Sequence, residues 1–310
     1  MNTASTSALE IGRVAQPSGL LAVRDLIRDF WALTKPEVNF LIVVATFTGF
    51  YLANASQANH FGCDRLFHAL LGTLLVASGA GVLNQFLEHR FDARMRRTSR
   101  RPIAAGRLRP STGLWFGILL SALGATYLLL LVNSLASLLA VATLGAYLFV
   151  YTPLKRRTVL STVAGAFPGA MPPLIGWVAA GGSIASPKAW VLYSLLFLWQ
   201  FPHFMAIAWM YREDYARAGY FLLPQEHDHT FVAWLTAVPS FALFGVSVFA
   251  VGGTTGGILQ YSCTVVLGLG LLYYAARLIV LRSRIAARLL LRASIIYLPL
   301  ELLILIVGKQ

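Results

Sequence analysis

Asn84, Glu88 and Asp92 recur at every fourth position. On a helix this spacing puts three oxygen-bearing side chains on one stripe, about 6 Å apart along the axis. Two carboxylates and an amide so placed suit a hard cation such as Mg²⁺, which takes a few carboxylates together with water and phosphate oxygens. Arg94, Arg96, Arg97, Arg100 and Arg101 follow and supply counter-charge for an anion. The same spacing also fits a salt-bridged helix end at a membrane surface, and spacing alone does not separate the two readings. A second acidic pair sits in Tyr211-Arg212-Glu213-Asp214-Tyr215, with Glu226 and Asp228 further along; Lys155 and Arg157 lie in another basic loop. Two acidic poles and these cations facing one cavity would suit a diphosphate. Ionising an allylic diphosphate requires its leaving-group charge to be stabilised, which metal ions and Lys/Arg clamps do electrostatically.

The elements that must hold these residues follow from composition. The chain has 310 residues, 57% of them hydrophobic and 12% charged, with a mean hydropathy of +0.69. Soluble domains carry charge at about a quarter of their positions, so a soluble protein is excluded. Nine apolar runs are long enough to cross a bilayer, near 38–55, 66–87, 113–132, 135–154, 158–180, 189–211, 231–253, 258–281 and 289–307. Lipid offers no partner to free backbone groups, and the runs are too long and too continuously apolar for barrel strands, so each reads as a helix. The expected fold is an all-α polytopic bundle of nine spans over residues 38–310, preceded by an amphipathic segment over 1–37. The prolines and glycines of the fifth run are expected to bend it.

Charge placement sets the orientation. Lys and Arg number 25 against 12 Asp and Glu, a formal +13, and 22 of the 25 fall in the loops or span ends on the N-terminal side of the expected membrane; only Arg65, Lys188 and Lys309 fall on the other. Basic residues near span ends are retained in the cytoplasm, so the N-terminus is expected inside, and the charge records topology rather than nucleic-acid binding. The two acidic loops are four spans apart, as are the basic clusters after spans four and eight, which suggests a degenerate parallel repeat. Cys63 and Cys263 make neither a disulfide framework nor a CxxC metal knuckle.

The motifs together resemble a known family. Asn84-x3-Glu88-x3-Asp92, continuing through Met95, Arg97, Thr98, Arg101 and Pro102, resembles the UbiA-type intramembrane prenyltransferases. Tyr151-Thr-Pro-Leu-Lys155, Pro168-Gly-Ala-Met-Pro172-Pro-Leu-Ile-Gly176-Trp177 and Trp199-Gln-Phe-Pro-His203 are similar to their haem branch, the protohaem IX farnesyltransferases. The resemblance covers most of residues 30–225. It implies a UbiA-like helical bundle that transfers farnesyl from farnesyl diphosphate to the 2-vinyl group of haem B, with water adding, to give haem O. It further implies Mg²⁺ held by Asn84, Glu88, Asp92 and Asp214, a diphosphate clamped by Arg97, Arg101, Lys155 and Arg212, and a leaving group hydrogen-bonded by Tyr151. This chain departs from the family pattern at the second pole: Met210 and Ala218 stand four residues either side of Asp214, so Glu213 or a tyrosine would have to complete it.

His203 directly follows Pro202, eleven residues before Asp214. An ionisable residue at that depth points to function, here a contact to haem alongside Trp199; the alternative is a buried neutral imidazole satisfying a kinked backbone. Aromatic residues of spans five and six suit a planar ligand and a carbocation, and helix packing explains any one of them equally. The rival readings are a UbiA-type enzyme prenylating an aromatic acid or quinone precursor, a secondary transporter for an anion, and a non-catalytic oxidase assembly factor. Against a transporter, the charges cluster at one face rather than at the midplane. The N-terminal segment lacks a transit-peptide composition, so a bacterial inner membrane is expected over a mitochondrial one, with haem A synthase or a haem-copper oxidase downstream.

Overall fold

The computed structural model describes residues 19–55, 62–221, 229–252 and 257–308; Glu226 and Asp228 lie outside them. Among the described residues every regular element is a helix. They run α1 (Gly19–Leu33), α2 (Pro36–Ala55), α3 (Cys63–Asp92), α4 (Pro110–Leu131) and α5 (Ser134–Gly145), which continues through a π-helical segment (Ala146–Tyr151) into the short α6 (Thr152–Leu154). Then come α7 (Ser161–Gly169), α8 (Pro172–Ala179), α9 (Pro187–Met210), α10 (Arg212–Ala218), α11 (His229–Gly252), α12 (Gly257–Leu281) and α13 (Arg284–Val307).

Eight helical stretches among the described residues are long and apolar enough to cross a membrane. The fifth of the nine expected spans is instead a broken pair, α7 and α8. Proline explains the break. It lacks an N–H and is tolerated only in a first helical turn or at a kink; Pro168 lies in the last turn of α7, and Pro172 and Pro173 open α8. Carbonyls freed at such a break need partners from the protein, because lipid has none. Gln200 of α9 ties the end of α7 to the bundle, its Nε2 donating at 3.1 Å to the Ala166 carbonyl, which also accepts from the Ala170 N–H.

Helices in lipid gain no hydrophobic free energy from touching each other, so small residues that let backbones approach decide who packs on whom. The buried stripe of α4 is Gly113, Gly117, Ser121, Gly124 and Leu128; its last four residues face Gly72, Val76, Gly79 and Leu83 of α3, and Gly113 faces Ile103 of the α3–α4 loop. The α2–α8 contact is equally close: a Cβ on Gly49 would strike the Pro173 carbonyl, and one on Gly176 the Thr46 carbonyl. α9 packs on α11 and α13, and α13 also reaches α2. The outer surface carries exposed Trp115, Leu130, Phe149, Phe241, Phe249 and Ile258, an apolar extent that soluble monomers do not show.

At one end of this bundle several element ends converge. The start of α2, the inner end of α3, the α3–α4 loop, α6, α10 and the start of α13 are tied by Lys35 to Asn84, Arg101 to Asp92, Lys155 to Glu88 and Arg284 to Glu213. The Phe221 N–H also donates to the Lys155 carbonyl at 2.9 Å.

Candidate active site

The inner end of α3 buries Asn84, Glu88 and Asp92 together. Glu88 is the hub. Its Oε1 and Oε2 accept from Lys155 Nζ at 2.9 and 3.1 Å, and Oε2 also accepts from Asn84 Nδ2 at 3.0 Å. Asn84 Oδ1 accepts from Lys35 Nζ at 2.9 Å. A continuous line of hydrogen bonds therefore runs Lys35, Asn84, Glu88, Lys155. One turn further along α3, Asp92 Oδ2 accepts from Arg101 at 2.7 Å, while the Asp92 carbonyl accepts from Thr98 Oγ1 at 3.0 Å and so shapes the loop that carries Arg101.

Lys155 leaves α6 beside the π-helical segment. A π turn inserts an extra residue into a helix and is often found at functional sites. Here it puts Tyr147 and Tyr151 side by side, ring centroids 5.5 Å apart, with Lys155 Nζ 4.5 Å from the centre of the Tyr151 ring. Burial disfavours the Lys155 ammonium, but Glu88 outweighs it with help from the neighbouring tyrosines, and the group is held well above the ordinary lysine value. Thr152 is buried, its Oγ1 donating to the Tyr147 carbonyl at 2.8 Å and accepting from Asn84 Nδ2 at 3.3 Å.

Lys35 was counted in the sequence only as a topology charge, yet the structure makes it a neighbour of the α3 stripe. It sits between α1 and α2 at φ +54°, a left-handed conformation that costs a non-glycine residue about 1–2 kcal/mol. Surrounding bonds hold the turn there: Gln85 Nε2 donates to the Leu33 carbonyl and Asn39 Nδ2 to the Thr34 carbonyl, each at 2.8 Å. Burial, then the nearby Arg101 and Lys155, pull the Lys35 ammonium down to about 7. Sequence reading missed this residue because 49 positions separate it from Asn84; the signal available was a lysine directly before the proline that opens the first span.

The second pole docks on the first through Arg97, whose Nη2 donates to Tyr215 Oη at 3.1 Å and whose guanidinium lies 5.1 Å from the Tyr211 ring centre. Met95, Ala218 and Tyr220 pack beneath this contact. Asp214 is buried and ion-paired with Arg217. Glu213 is turned outward, its side chain 64% exposed and paired with Arg284 at 2.8 Å, and Arg212 lies over the Trp209 ring. Of the residues expected at this pole, Asp214 is thus in the buried part while Glu213 and Arg212 face away from it. Tyr220 supplies what the sequence had left to an unnamed tyrosine. Its hydroxyl is buried next to Glu88 with no well-formed hydrogen bond among the described residues, and its pKa is raised, first by burial and then by the Glu88 charge.

Trp199 and His203 belong to a different face of α9. The Trp199 indole donates to the Ser294 carbonyl at 2.7 Å, its ring stacks on His203 at 4.6 Å, and His203 Nδ1 lies 2.9 Å from Ser294 Oγ. Trp199 therefore backs the imidazole, leaving Nε2 as the nitrogen with no bond among the described residues. None of these contacts reaches the Glu88 network.

Among the described residues no three His, Cys, Asp or Glu side chains converge as a ready metal cage. The donors of the α3 stripe are nonetheless all oxygens, two of them carboxylates, beside the buried Tyr220 hydroxyl. That set fits Mg²⁺, which keeps water and phosphate oxygens among its ligands, better than a metal needing an all-protein shell.

The sequence matches the UbiA prenyltransferase family over residues 42–296. The chain belongs to that family. Its relatives include the protoheme IX farnesyltransferase of Solibacter usitatus, 43% identical over 281 residues that span 88% of this chain and 96% of that one. The protoheme IX farnesyltransferase of Anaeromyxobacter is 37% identical over 297 residues, 96% of this chain and 97% of its own. Among solved structures, a digeranylgeranylglyceryl phosphate synthase superposes with a TM-score of 0.71 at 16% identity, covering 91% of this chain and 98% of that one. A UbiA homologue from Archaeoglobus fulgidus, bound to GPP and Mg²⁺, gives 0.58 at 13%, covering 87% and 99%. At such low identity these two show the UbiA fold alone. A UbiA-family prenyltransferase is an enzyme, and the buried meeting of Lys35, Lys155 and Arg101 with Glu88 and Asp92 is where this one gathers charge inside an apolar bundle.

Proposed function

We propose that this protein transfers the farnesyl group of farnesyl diphosphate to the 2-vinyl group of haem B, with addition of water, to make haem O. The observation that carries the reading is the Lys35–Asn84–Glu88–Lys155 line, with Asp92–Arg101 one turn away, at the end of the bundle where loops meet apolar helices. A diphosphate headgroup and a lipid tail together match that boundary. The names of the full-length relatives supply haem as the acceptor.

Asn84, Glu88, Asp92 and Asp214 would hold Mg²⁺, which supplies charge neutralisation of the diphosphate when bound. The protein's own groups do the rest. Lys35, Lys155, Arg101 and Arg97 direct donors at the diphosphate oxygens and stabilise the charge that grows as the allylic C–O bond breaks and its electron pair leaves with the diphosphate. Tyr151 and Tyr220 stand as hydroxyl donors to the leaving group, and the Tyr151 and Tyr147 rings shield the allylic cation from water. The vinyl carbon of haem B supplies the electron pair of the new C–C bond; water then adds to the resulting cation and loses a proton. His203, through Nε2, contacts the haem, with Trp199 and Ser294 fixing its ring.

In this reading the protein sits in a bacterial inner membrane, mitochondrial inner membrane being the alternative, with its N-terminus cytoplasmic, and passes haem O to haem A synthase or a haem-copper oxidase. Incubating purified protein with haem B, farnesyl diphosphate and Mg²⁺ should yield haem O. Prenylation of a phenolic acid instead, with haem B untouched, would overturn the proposal.

A further inference from the structure

Helix α1 is joined to the first span by Thr34 and Lys35 alone, so its last turn stands at a bilayer surface. At about 100° per residue, Leu33, Leu26, Phe30, Val23, Ile27 and Trp31 fall in that order on one apolar arc of about 160°. The bundle covers one flank of the arc: Leu33 is fully buried, and Phe30 packs edge-on against Phe116 of α4 with ring centroids 4.9 Å apart. The other flank is bare. Val23, Ile27 and Trp31 share it, Ile27 64% and Trp31 65% exposed. The charges divide in the same way. Asp25 and Asp29 continue from the covered flank, and Arg107 of the α3–α4 loop grips the Asp29 carboxylate through Nε and Nη2, both at 2.9 Å. Arg24 and Arg28 border the bare flank and are exposed.

We propose that α1 is an in-plane anchor in the headgroup boundary of the leaflet at the charged end of the bundle, and that this lipid contact holds the turn that delivers Lys35 to Asn84. The position of α1 selects lipid as the occupant. Phe116 lies about 9 Å along α4 from its start, so the helix that meets it is sunk to the level of a span. Trp115, next to Phe116, is 69% exposed on that span, and Trp is enriched where a membrane meets water. The bare flank thus continues a lipid-facing surface, ends in a second Trp, and is edged by arginines whose stems can lie on apolar surface while their heads reach lipid phosphates. Helices of this pattern sink their apolar face about 5–10 Å into the boundary. The far end of α1 passes directly into the charge network. Thr34 Oγ1 donates to the Trp31 carbonyl at 2.7 Å, Gln85 Nε2 donates to the Leu33 carbonyl at 2.8 Å, and the next residue but one is Lys35 in its left-handed conformation. A helix free to lift away would let that turn relax to a commoner backbone conformation and withdraw the ammonium from Asn84. The effect on Lys35 rests on the proposed diphosphate site; the lipid contact does not.

The test uses purified full-length protein in lipid nanodiscs. The fluorescence of Trp31 is taken as the difference between wild type and Trp31→Phe. Lipid brominated near the headgroup end of its chains should quench that share more strongly than lipid brominated at the chain ends. A Trp31 share quenched by neither lipid but by aqueous iodide places the flank in water, and one shielded from all three quenchers places a protein partner or a second copy on it; either result overturns the anchor. Ile27→Glu should raise the Kd for inorganic pyrophosphate with Mg²⁺ about fivefold, while Ile27→Leu stays within about twofold of wild type. Combining Ile27→Glu with Lys35→Ala should add nothing to the loss caused by Lys35→Ala, because both act through one ammonium. An unchanged Kd in Ile27→Glu, or losses that multiply in the double variant, overturns the link to Lys35. If Lys35→Ala itself leaves pyrophosphate binding unaltered while Trp31 is quenched by lipid, the role of Lys35 in the diphosphate site falls and the anchor stands.

Discussion

Glu88 accepts hydrogen bonds from two side chains that reach it from different elements, Asn84 of its own helix and Lys155 beyond α6, and Asn84 in turn is held by Lys35 from before α2. Removing a member of such a network leaves a buried partner unsatisfied as well as deleting a charge. Lys155→Ala should lower kcat by about 10²-fold, the scale of losing one donor to a developing anion, and should destabilise the fold by about 3–5 kcal/mol because Glu88 loses its counter-ion. Single-turnover rates and a thermal melt in the same detergent separate the two effects. Lys35→Ala should weaken binding of inorganic pyrophosphate by about tenfold, which is 1.4 kcal/mol, measured by calorimetry with Mg²⁺ present; unaltered binding would assign Lys35 to the turn alone. His203→Ala should reduce haem B binding, followed in the Soret band, far more than farnesyl diphosphate binding. Equal loss of both would show that His203 acts through the packing of α9 on α13.

At the scale of elements, the broken α7–α8 crossing is held where it is by glycine. Gly176 faces the Thr46 carbonyl and Gly49 the Pro173 carbonyl, so a methyl group on either would push backbone against backbone. Gly176→Ala should cost about 1–3 kcal/mol, the usual penalty of overpacking, seen as a lower melting temperature. A Cβ on Gly245 would meet nothing within 4 Å among the described residues, so Gly245→Ala serves as a control with little change. The break itself was legible, since Pro168, Pro172 and Pro173 in one apolar run announce a bend. What the run did not reveal is that the bend separates two short helices and that Gln200 of α9, 34 positions away, ties onto the end of the first.

At the scale of the whole molecule, the charge placement predicts a cytoplasmic N-terminus, and the protein carries its own reporter. Cys63 is exposed at the end of α3 opposite Asp92. With the N-terminus inside, Cys63 should react with a membrane-impermeant thiol reagent added to intact cells, while Cys263, within the span of α12, stays slow. Labelling of Cys63 only after permeabilisation would reverse the topology. The clustering of loops at one end agrees with the parity of the spans: Lys35 meets Asn84, Arg101 meets Asp92, Lys155 meets Glu88 and Arg284 meets Glu213 there. Chelation of divalent cations should abolish prenyl transfer and Mg²⁺ should restore it, and Asp92→Asn should raise the Mg²⁺ concentration needed for half-maximal rate.

The sequence by itself determined the all-helical membrane architecture, the oxygen stripe of α3 and the family, because each is a local property: hydropathy over a span, side-chain period on a helix, or residues close together in a motif. Tertiary structure alone decided which cations meet that stripe. Lys155 was nominated by its motif, but nothing local shows it on Glu88, and Lys35 is separated from Asn84 by all of α2 and most of α3. It also sorted residues that the sequence had grouped, turning Glu213 and Arg212 outward while burying Asp214 beside them. Neighbours in sequence on a helix point about 100° apart, so which of them faces the site is settled by the packing of the helix and not by the motif that contains it.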